Sequence, residues 1–369
     1  MSVYWNSRVE KLEPYVPGEQ PRDGKFIKLN TNENPYPPSP RVIEAIRQAA
    51  GELLRLYPDP ECTKLRRVIA EQYQVRPDQV FVGNGSDEVL AFAFAAFFGN
   101  GDAPLLFPDI TYSFYPVYAG LWDAPFRRVP LAEDFRIAVK DYFVKSGGVI
   151  FPNPNAPTGI GMPVHEALEA AAFQGKDNRV VVVDEAYGAF AGKGPEKGML
   201  GSLSAAPFIN DYPNLLTVHT LSKMGALAGL RAGFAIGNEA LIQGLCRVRD
   251  SFNSYPVDRL AQAGAAAAVA DTAYYAGITR KVIATRERIR AALDRLGIEA
   301  LPSDANFIFI RCPGKDGAVL ADALREKGVL VRHFNKERIA DFLRVSIGTD
   351  SEMDEFLRAV KEAVNGGTL

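Results

Sequence analysis

Four consecutive valines at 180–183 run directly into two acids, Asp184 and Glu185. A β-branched run with no polar member has no face to give to water, so it reads as a strand covered on both sides. Short apolar runs recur through the middle of the chain, at 79–82, 103–107, 149–151, 215–219 and 233–236, with helical spacing between them. Buried strands alternating with helices specify an α/β domain built on a largely parallel sheet.

Both ends of the chain are patterned differently. The first forty residues are rich in proline and charge, read as an irregular arm, and end in LNTNENPYPPSP. Helical patterning starts at Ser39 and Pro40, an N-cap followed by proline at the first helical position. Val42, Ile46, Ala49 and Leu53 then keep one apolar face. A second helix places Leu65, Ile69 and Tyr73 on one side, and an apolar helix over 89–98 follows the turn GNGSDE. Near the C-terminus a long helix carries Ile278, Val282, Ile289, Leu293 and Leu296. Strands are expected at 306–310, 329–331 and 342–347, with helices near 318–327 and at the end. A length of 369 residues exceeds one ordinary core. The expected division is a large α/β domain over 41–276 and a small α+β domain made from 1–40 and 277–369.

Several function classes drop out. With 42 Lys and Arg against 44 Asp and Glu, the chain lacks the positive excess of a protein that neutralises many phosphates, so no nucleic-acid partner is expected. Its three cysteines (Cys62, Cys246, Cys312) and three histidines (His165, His219, His333) are scattered, so neither a disulfide framework nor a metal site is expected. The opening MSVYWNSRVEKLEP lacks the apolar run of a signal peptide, and tracts such as 91–98 and 264–270 are too short to span a bilayer. The expectation is a cytoplasmic enzyme without a membrane partner.

The chemistry-bearing residues sit where the apolar runs end. In TVHTLSKMGALAGLRAG a strand runs out into Ser222 and Lys223, and Arg231 follows eight residues after the lysine. Open α/β sheets place ligands at the carboxyl ends of their strands. A lysine there suits Schiff-base chemistry, and an arginine offers a planar, permanently charged fork for a phosphate. Asp184, closing the valine run, is costly to bury without a cation, which a protonated pyridine nitrogen supplies. The turn-rich NPNAPTG at 153–159 follows another strand. GNGSDE at 83–88 opens a helix whose free N–H groups can hold an anion, although Asp87 and Glu88 oppose one. Tyr112, in PDITY, is placed to stack on a planar ring. Each has an ordinary alternative when read singly: a solvated loop lysine, a turn aspartate, a Pro/Gly turn, an N-cap by Ser86, a core tyrosine.

Seven segments occur together: KLNTNENPYPPSP, LYPDPE, GNGSDEV, NPNAPTG, VVVVDEAY, TLSKMGALAGLRAGF and FLRVSIGT. In this order and spacing the chain resembles, over essentially its whole length, the fold-type I pyridoxal-phosphate enzymes, within the aminotransferase group that contains the histidinol-phosphate aminotransferases. The resemblance implies a large domain whose mostly parallel, seven-stranded-type sheet lies between helices, and a small α+β domain. It also implies pyridoxal 5'-phosphate as cofactor. Lys223 is then the Schiff-base lysine and proton carrier, Asp184 the partner of the pyridine nitrogen, and Tyr187 the donor to the phenolic oxygen. Tyr112 stacks on the ring, while Ser222, Arg231 and the N–H groups of Ser86 and Asp87 take the phosphate. Tyr57 reaches that phosphate from the partner subunit of a homodimer with shared sites. One position departs from the pattern: Ala156 stands where relatives commonly carry Asn before Pro-Thr-Gly, so either Asn155, one residue earlier, substitutes for it or the contact is missing.

Arg344 and Arg332 resemble the arginines that bind the substrate's anionic end, and Tyr15 a tyrosine of the arm lying over it. The implied reaction, in histidine biosynthesis, moves the amino group of histidinol phosphate to 2-oxoglutarate, giving imidazole acetol phosphate and glutamate. An aromatic amino-acid aminotransferase and a threonine-phosphate decarboxylase share the cofactor residues. A non-catalytic binding module of the same fold is the alternative from another class.

Overall fold

In the computed structural model, which describes residues 3–21, 26–99, 103–194 and 201–365, the valine run forms a central strand of a seven-stranded sheet. In chain order the first strands are β1 (Ile27–Lys28), β2 (Val80–Asn84), β3 (Leu105–Pro108), β4 (Phe126–Val129), β5 (Val149–Pro152), β6 (Val181–Asp184), β7 (Leu215–Thr220) and β8 (Ala232–Gly237). All except β1 join the large sheet, in the order β2-β8-β7-β6-β5-β3-β4. Strand β8 runs antiparallel to both neighbours, and the pairs from β7 to β4 are parallel. The carboxyl ends of β2, β3, β5, β6 and β7 therefore share one edge with the amino end of β8.

Both faces of the sheet are covered, as the unbroken valines require. Val181 and Val183 pack into one core with helices Thr63–Tyr73, Val164–Gly175 and Arg259–Ala270. Val182 faces the opposite core with helices Gly85–Phe97, Tyr115–Leu121 and Glu239–Phe252. Each fully buried valine contributes about 1.5–3 kcal/mol of transfer free energy. Strand β4 escaped the sequence reading because FRRV lies at the sheet edge, where three of its four residues are exposed and no apolar run is needed.

Helix Pro40–Ala49 is capped by Ser39 Oγ, which accepts from the Val42 N–H at 3.4 Å. It stops short of Leu53, which lies in a 3-10 turn and is exposed, so the expected apolar face is one turn too long. Leu296 likewise lies one residue past the long helix Thr272–Arg295 and is exposed. That continuous helix runs through 276/277, where the sequence suggested a domain boundary.

Beyond it lies an antiparallel sheet, β12-β13-β10-β9, formed from β9 (Glu299–Ala300), β10 (Phe307–Arg311), β12 (Arg332–His333) and β13 (Phe342–Ser346). The arm is fastened here. Strand β1 pairs in parallel with β11 (Val329–Leu330). Ser346 N–H donates to Leu29 O at 2.9 Å, so the next arm residues are held against the edge of the large sheet.

Candidate active site

The expected residues converge at that edge. Asp184 ends β6, Ser222 and Lys223 follow β7, and Arg231 precedes β8, so the one antiparallel strand delivers a residue there by its amino end. They line a cavity of about 150 Å³ together with Ser86, Asp87, Tyr112, Ala156 and Tyr187. Half-buried Lys223 donates from Nζ to Thr31 O at 3.3 Å, and Nζ lies 5.9 Å from the centre of the Tyr187 ring. Its main chain is clamped by Asn34 Nδ2, which donates to the carbonyls of Lys223 and Met224 at 3.0 and 3.3 Å.

Asp184 is 5% exposed. Its Oδ2 accepts from the Tyr115 hydroxyl and its Oδ1 from the Ala186 N–H, both at 3.1 Å. Among the described residues no cation pairs with it. Burial pushes its carboxyl up to about 6, against the pull of those two hydrogen bonds. A carboxylate placed this way accommodates a cationic ring nitrogen.

At the other end of the cavity lies a cradle for an anion. Helix Gly85–Phe97 opens directly from β2, and its first-turn N–H groups have no intrahelical acceptors. Arg231 crosses above that turn, with Nη2 on Asp87 Oδ2 at 2.9 Å and Nη1 on Ser222 Oγ at 3.4 Å. The approach demands glycine at 85. Its φ is +76°, and a Cβ there would stand 2.5 Å from Arg231 Nη2. The two acids that seemed to oppose an anion are otherwise engaged. Glu88 folds back onto the Asn84 N–H at 2.7 Å, and Asp87 also accepts from the hydroxyls of Tyr112 and Tyr118, at 2.7 and 3.4 Å.

Arg332 and Arg344 are direct cross-strand partners on β12 and β13. Like charges in that register repel, and among the described residues neither has a carboxylate partner. Arg344 donates from Nη2 to Asn30 O at 3.0 Å, its buried Nε has no partner, and burial holds its pKa below the ordinary arginine value. Arg332 donates to Val16 O at 3.4 Å and lines an outer cavity with Tyr15, whose ring lies tilted against Phe114 with 4.4 Å between ring centres. An anion between the two arginines would relieve the repulsion.

Two expected residues stand elsewhere. Asn155 does not line the cavity, and its Nδ2 donates to Ile110 O at 3.0 Å, after β3, and to Thr158 Oγ1 at 3.1 Å in its own loop. Ala156 faces the cavity instead. Tyr57 is 78% exposed and stacks on Tyr255 at 4.6 Å, outside the cavity of its own chain.

The sequence reading missed the roles of Asn30, Thr31, Asn32 and Asn34, which touch Arg344, Lys223 and Tyr187. A signal was present: three asparagines within five residues of an arm without periodicity.

The chain is similar to known proteins over nearly its whole length. A histidinol-phosphate aminotransferase of Acetobacter pasteurianus is 51% identical over the full length of both chains. Histidinol-phosphate aminotransferase 2 of Thiobacillus denitrificans is 54% identical over 98% of each. Among solved structures, the Sinorhizobium meliloti histidinol-phosphate aminotransferase in complex with pyridoxal-5'-phosphate superposes with a TM-score of 0.85 at 25% identity, covering 99% of each chain. A Thermus thermophilus aspartate aminotransferase mutant shares the fold, with a TM-score of 0.82 at 20% identity over 98% of this chain and 100% of that one. Matched by the aminotransferase class I and II family over residues 24–360, with its strand ends converging on Lys223, the chain belongs to that family.

Proposed function

We propose that this aminotransferase moves the amino group of L-histidinol phosphate to 2-oxoglutarate, giving imidazole acetol phosphate and glutamate. Its cofactor is pyridoxal phosphate, and the residues present fit that group. Asp184 is a buried carboxylate awaiting a cation, Arg231 and the start of helix Gly85–Phe97 form an anion cradle, and Lys223 stands between them and the arm. When bound, the cofactor supplies a sink for the electron pair of the substrate's Cα–H bond. Lys223 Nζ takes up and returns the proton. Tyr187 and Tyr112, on the cavity wall, orient the ring, and Ser222, Arg231 and the N–H groups of Ser86 and Asp87 hold the phosphate.

The observation that carries the substrate reading is the opposed Arg332 and Arg344 pair. Two permanent forks without carboxylates hold a phosphate dianion in one half-reaction and a dicarboxylate in the other. The names of relatives about half identical support the same substrate. The test follows the absorbance of the lysine-bound cofactor during a single turnover. Histidinol phosphate should bleach it at least about tenfold faster than phenylalanine or threonine phosphate, a difference of about 1.4 kcal/mol in barrier. Faster bleaching by phenylalanine would make the protein an aromatic aminotransferase.

The site is completed in a homodimer on this reading. Leu53, Leu54, Leu56, Tyr57, Phe252 and Tyr255 are all exposed apolar residues, and Tyr57 touches Tyr255. A second copy covering them would carry Tyr57 to the neighbouring phosphate cradle. Mixed Lys223→Ala and Tyr57→Phe subunits should then regain up to about a quarter of wild-type activity, because each mixed dimer holds one intact site. Activity no higher than that of the parents would remove Tyr57 from the partner's site. A cytoplasmic location fits the three free cysteines. Among the described residues no helix is long and apolar enough to cross a membrane.

A further inference from the structure

Three successive arm residues touch three different functional side chains. Asn30 O accepts from Arg344 Nη2 at 3.0 Å, Thr31 O from Lys223 Nζ at 3.3 Å, and Asn32 Nδ2 donates to Tyr187 Oη at 3.0 Å. The third contact is the one made by an arm side chain. Asn32 is 1% exposed, and its amide orientation is fixed by a closed set of bonds. Ser346 Oγ accepts the Asn32 main-chain N–H at 2.8 Å and donates its own proton to Asn32 Oδ1 at 3.0 Å. Asn306 Nδ2 holds the Asn32 carbonyl at 3.0 Å. Only Nδ2 remains, and it points at Tyr187.

A tyrosine hydroxyl has one proton to give. With the Asn32 amide donating into Oη, that proton is directed away from Asn32, and Tyr187 is on the cavity wall. Phe307 packs edge-on against the ring, with 5.0 Å between ring centres. Donation into a hydroxyl oxygen also polarises its O–H and makes it a stronger donor. On the same wall Ala156 presents a methyl group, and the neighbouring Asn155 amide is bound to Ile110 and Thr158. The phenolic side of the cavity thus has no direct amide donor from that loop.

We propose that Asn32 is a positioning residue for Tyr187, turning the tyrosine proton into the cavity and strengthening it as a donor to the cofactor's phenolic oxygen. The inference rests on the reading of this cavity as the pyridoxal-phosphate site. A donor to the phenolic oxygen weakens that oxygen's hold on the Nζ proton of Lys223. Removing the donor therefore raises the pH at which the lysine-bound cofactor changes colour. The charged groups around the cavity are Glu33, Asp87, Asp184 and Arg231, with Arg344 acting on Tyr187 from the small sheet, and the test alters none of them.

The experiment is a pH titration of the absorbance of the holoenzyme. Asn32→Ala should raise the midpoint by about one pH unit. Asn32→Gly should do the same, and its backbone suits the φ of +56° at this position. In a Tyr187→Phe background the Asn32 substitutions should add less than about 0.2 in pH, because the effect travels through the hydroxyl. An unchanged midpoint in either variant, or an equal rise without the Tyr187 hydroxyl, overturns the proposal. Loss of the absorbance in both variants while the wild type keeps it makes Asn32 a structural residue and also overturns it. A wild type that never acquires the absorbance refutes the cofactor reading instead.

Discussion

Lys223→Ala protein should fold, take up pyridoxal phosphate and transfer amino groups at least about ten-thousandfold more slowly than the wild type. The loss is large because on the proposed reading two functions end together: covalent attachment of the cofactor, and proton transfer by the one lysine that lines the cavity among the described residues. Folding should survive, because among the described residues Nζ makes a single hydrogen bond, to Thr31 O at 3.3 Å, in a half-buried position. One such bond is worth about 1 kcal/mol. Binding should also survive in part, since Arg231, Ser222 and the helix start, the phosphate cradle of the proposed reading, are untouched. Borohydride makes the distinction sharp. In the wild type it should fix the cofactor irreversibly on the peptide that contains Lys223, and in the variant the cofactor should dialyse away after the same treatment. Activity within tenfold of the wild type, or fixation on another lysine, would remove Lys223 from the mechanism.

The parts of this site that the sequence displayed are those set by strand ends. VVVV leading into Asp184 and TVHT leading into Ser222 and Lys223 each announce a buried strand and the residue that leaves it. Parallel pairing then puts both residues on one edge without further information. Strand β4 was hidden because an edge strand with exposed Arg127 and Arg128 carries no apolar signal. Asn32 was hidden for a different reason. Its partners Tyr187, Asn306 and Ser346 lie 155 to 314 residues away in sequence, so its role exists only once the arm is threaded between the two sheets. The placement of Asn155 was hidden as well. It is adjacent to Ala156, but consecutive residues of a tight loop point in different directions, and its amide satisfies Ile110 and Thr158. Arg332 and Arg344 show the intermediate case. Each is a plausible surface arginine alone, and only their register makes them a pair.

Asp184→Asn separates what is good for the fold from what is good for the reaction, and the two should change in opposite directions. The side chain is nearly isosteric and keeps the Ala186 N–H bond at Oδ1, while the bond to Tyr115 reverses, with the new amide donating into the hydroxyl that donated to Oδ2. What disappears is the charge. Without cofactor, burial raises the Asp184 carboxyl from its ordinary 3.8 to about 6, so the folded state prefers it protonated. A carboxyl raised in this way stabilises the fold fully below pH 3.8, and that contribution is lost as pH rises through 6. At pH 7.5 the ionised group therefore costs the apoprotein on the order of 3 kcal/mol, since each tenfold change in proton affinity is worth about 1.4 kcal/mol. The Asn variant, freed of that cost, should unfold at higher urea than the wild type when both lack cofactor, and the gap should close as pH falls toward 4. Catalysis should move the other way. With the ring nitrogen facing a neutral amide, nothing holds it protonated. Breaking a buried ion pair of this kind costs about 3–5 kcal/mol, which corresponds to roughly a thousandfold in rate. An apoprotein destabilised at pH 7.5 by the substitution would show that the carboxylate is not strained by burial. A variant with near wild-type turnover would show that the ring nitrogen does not depend on Asp184.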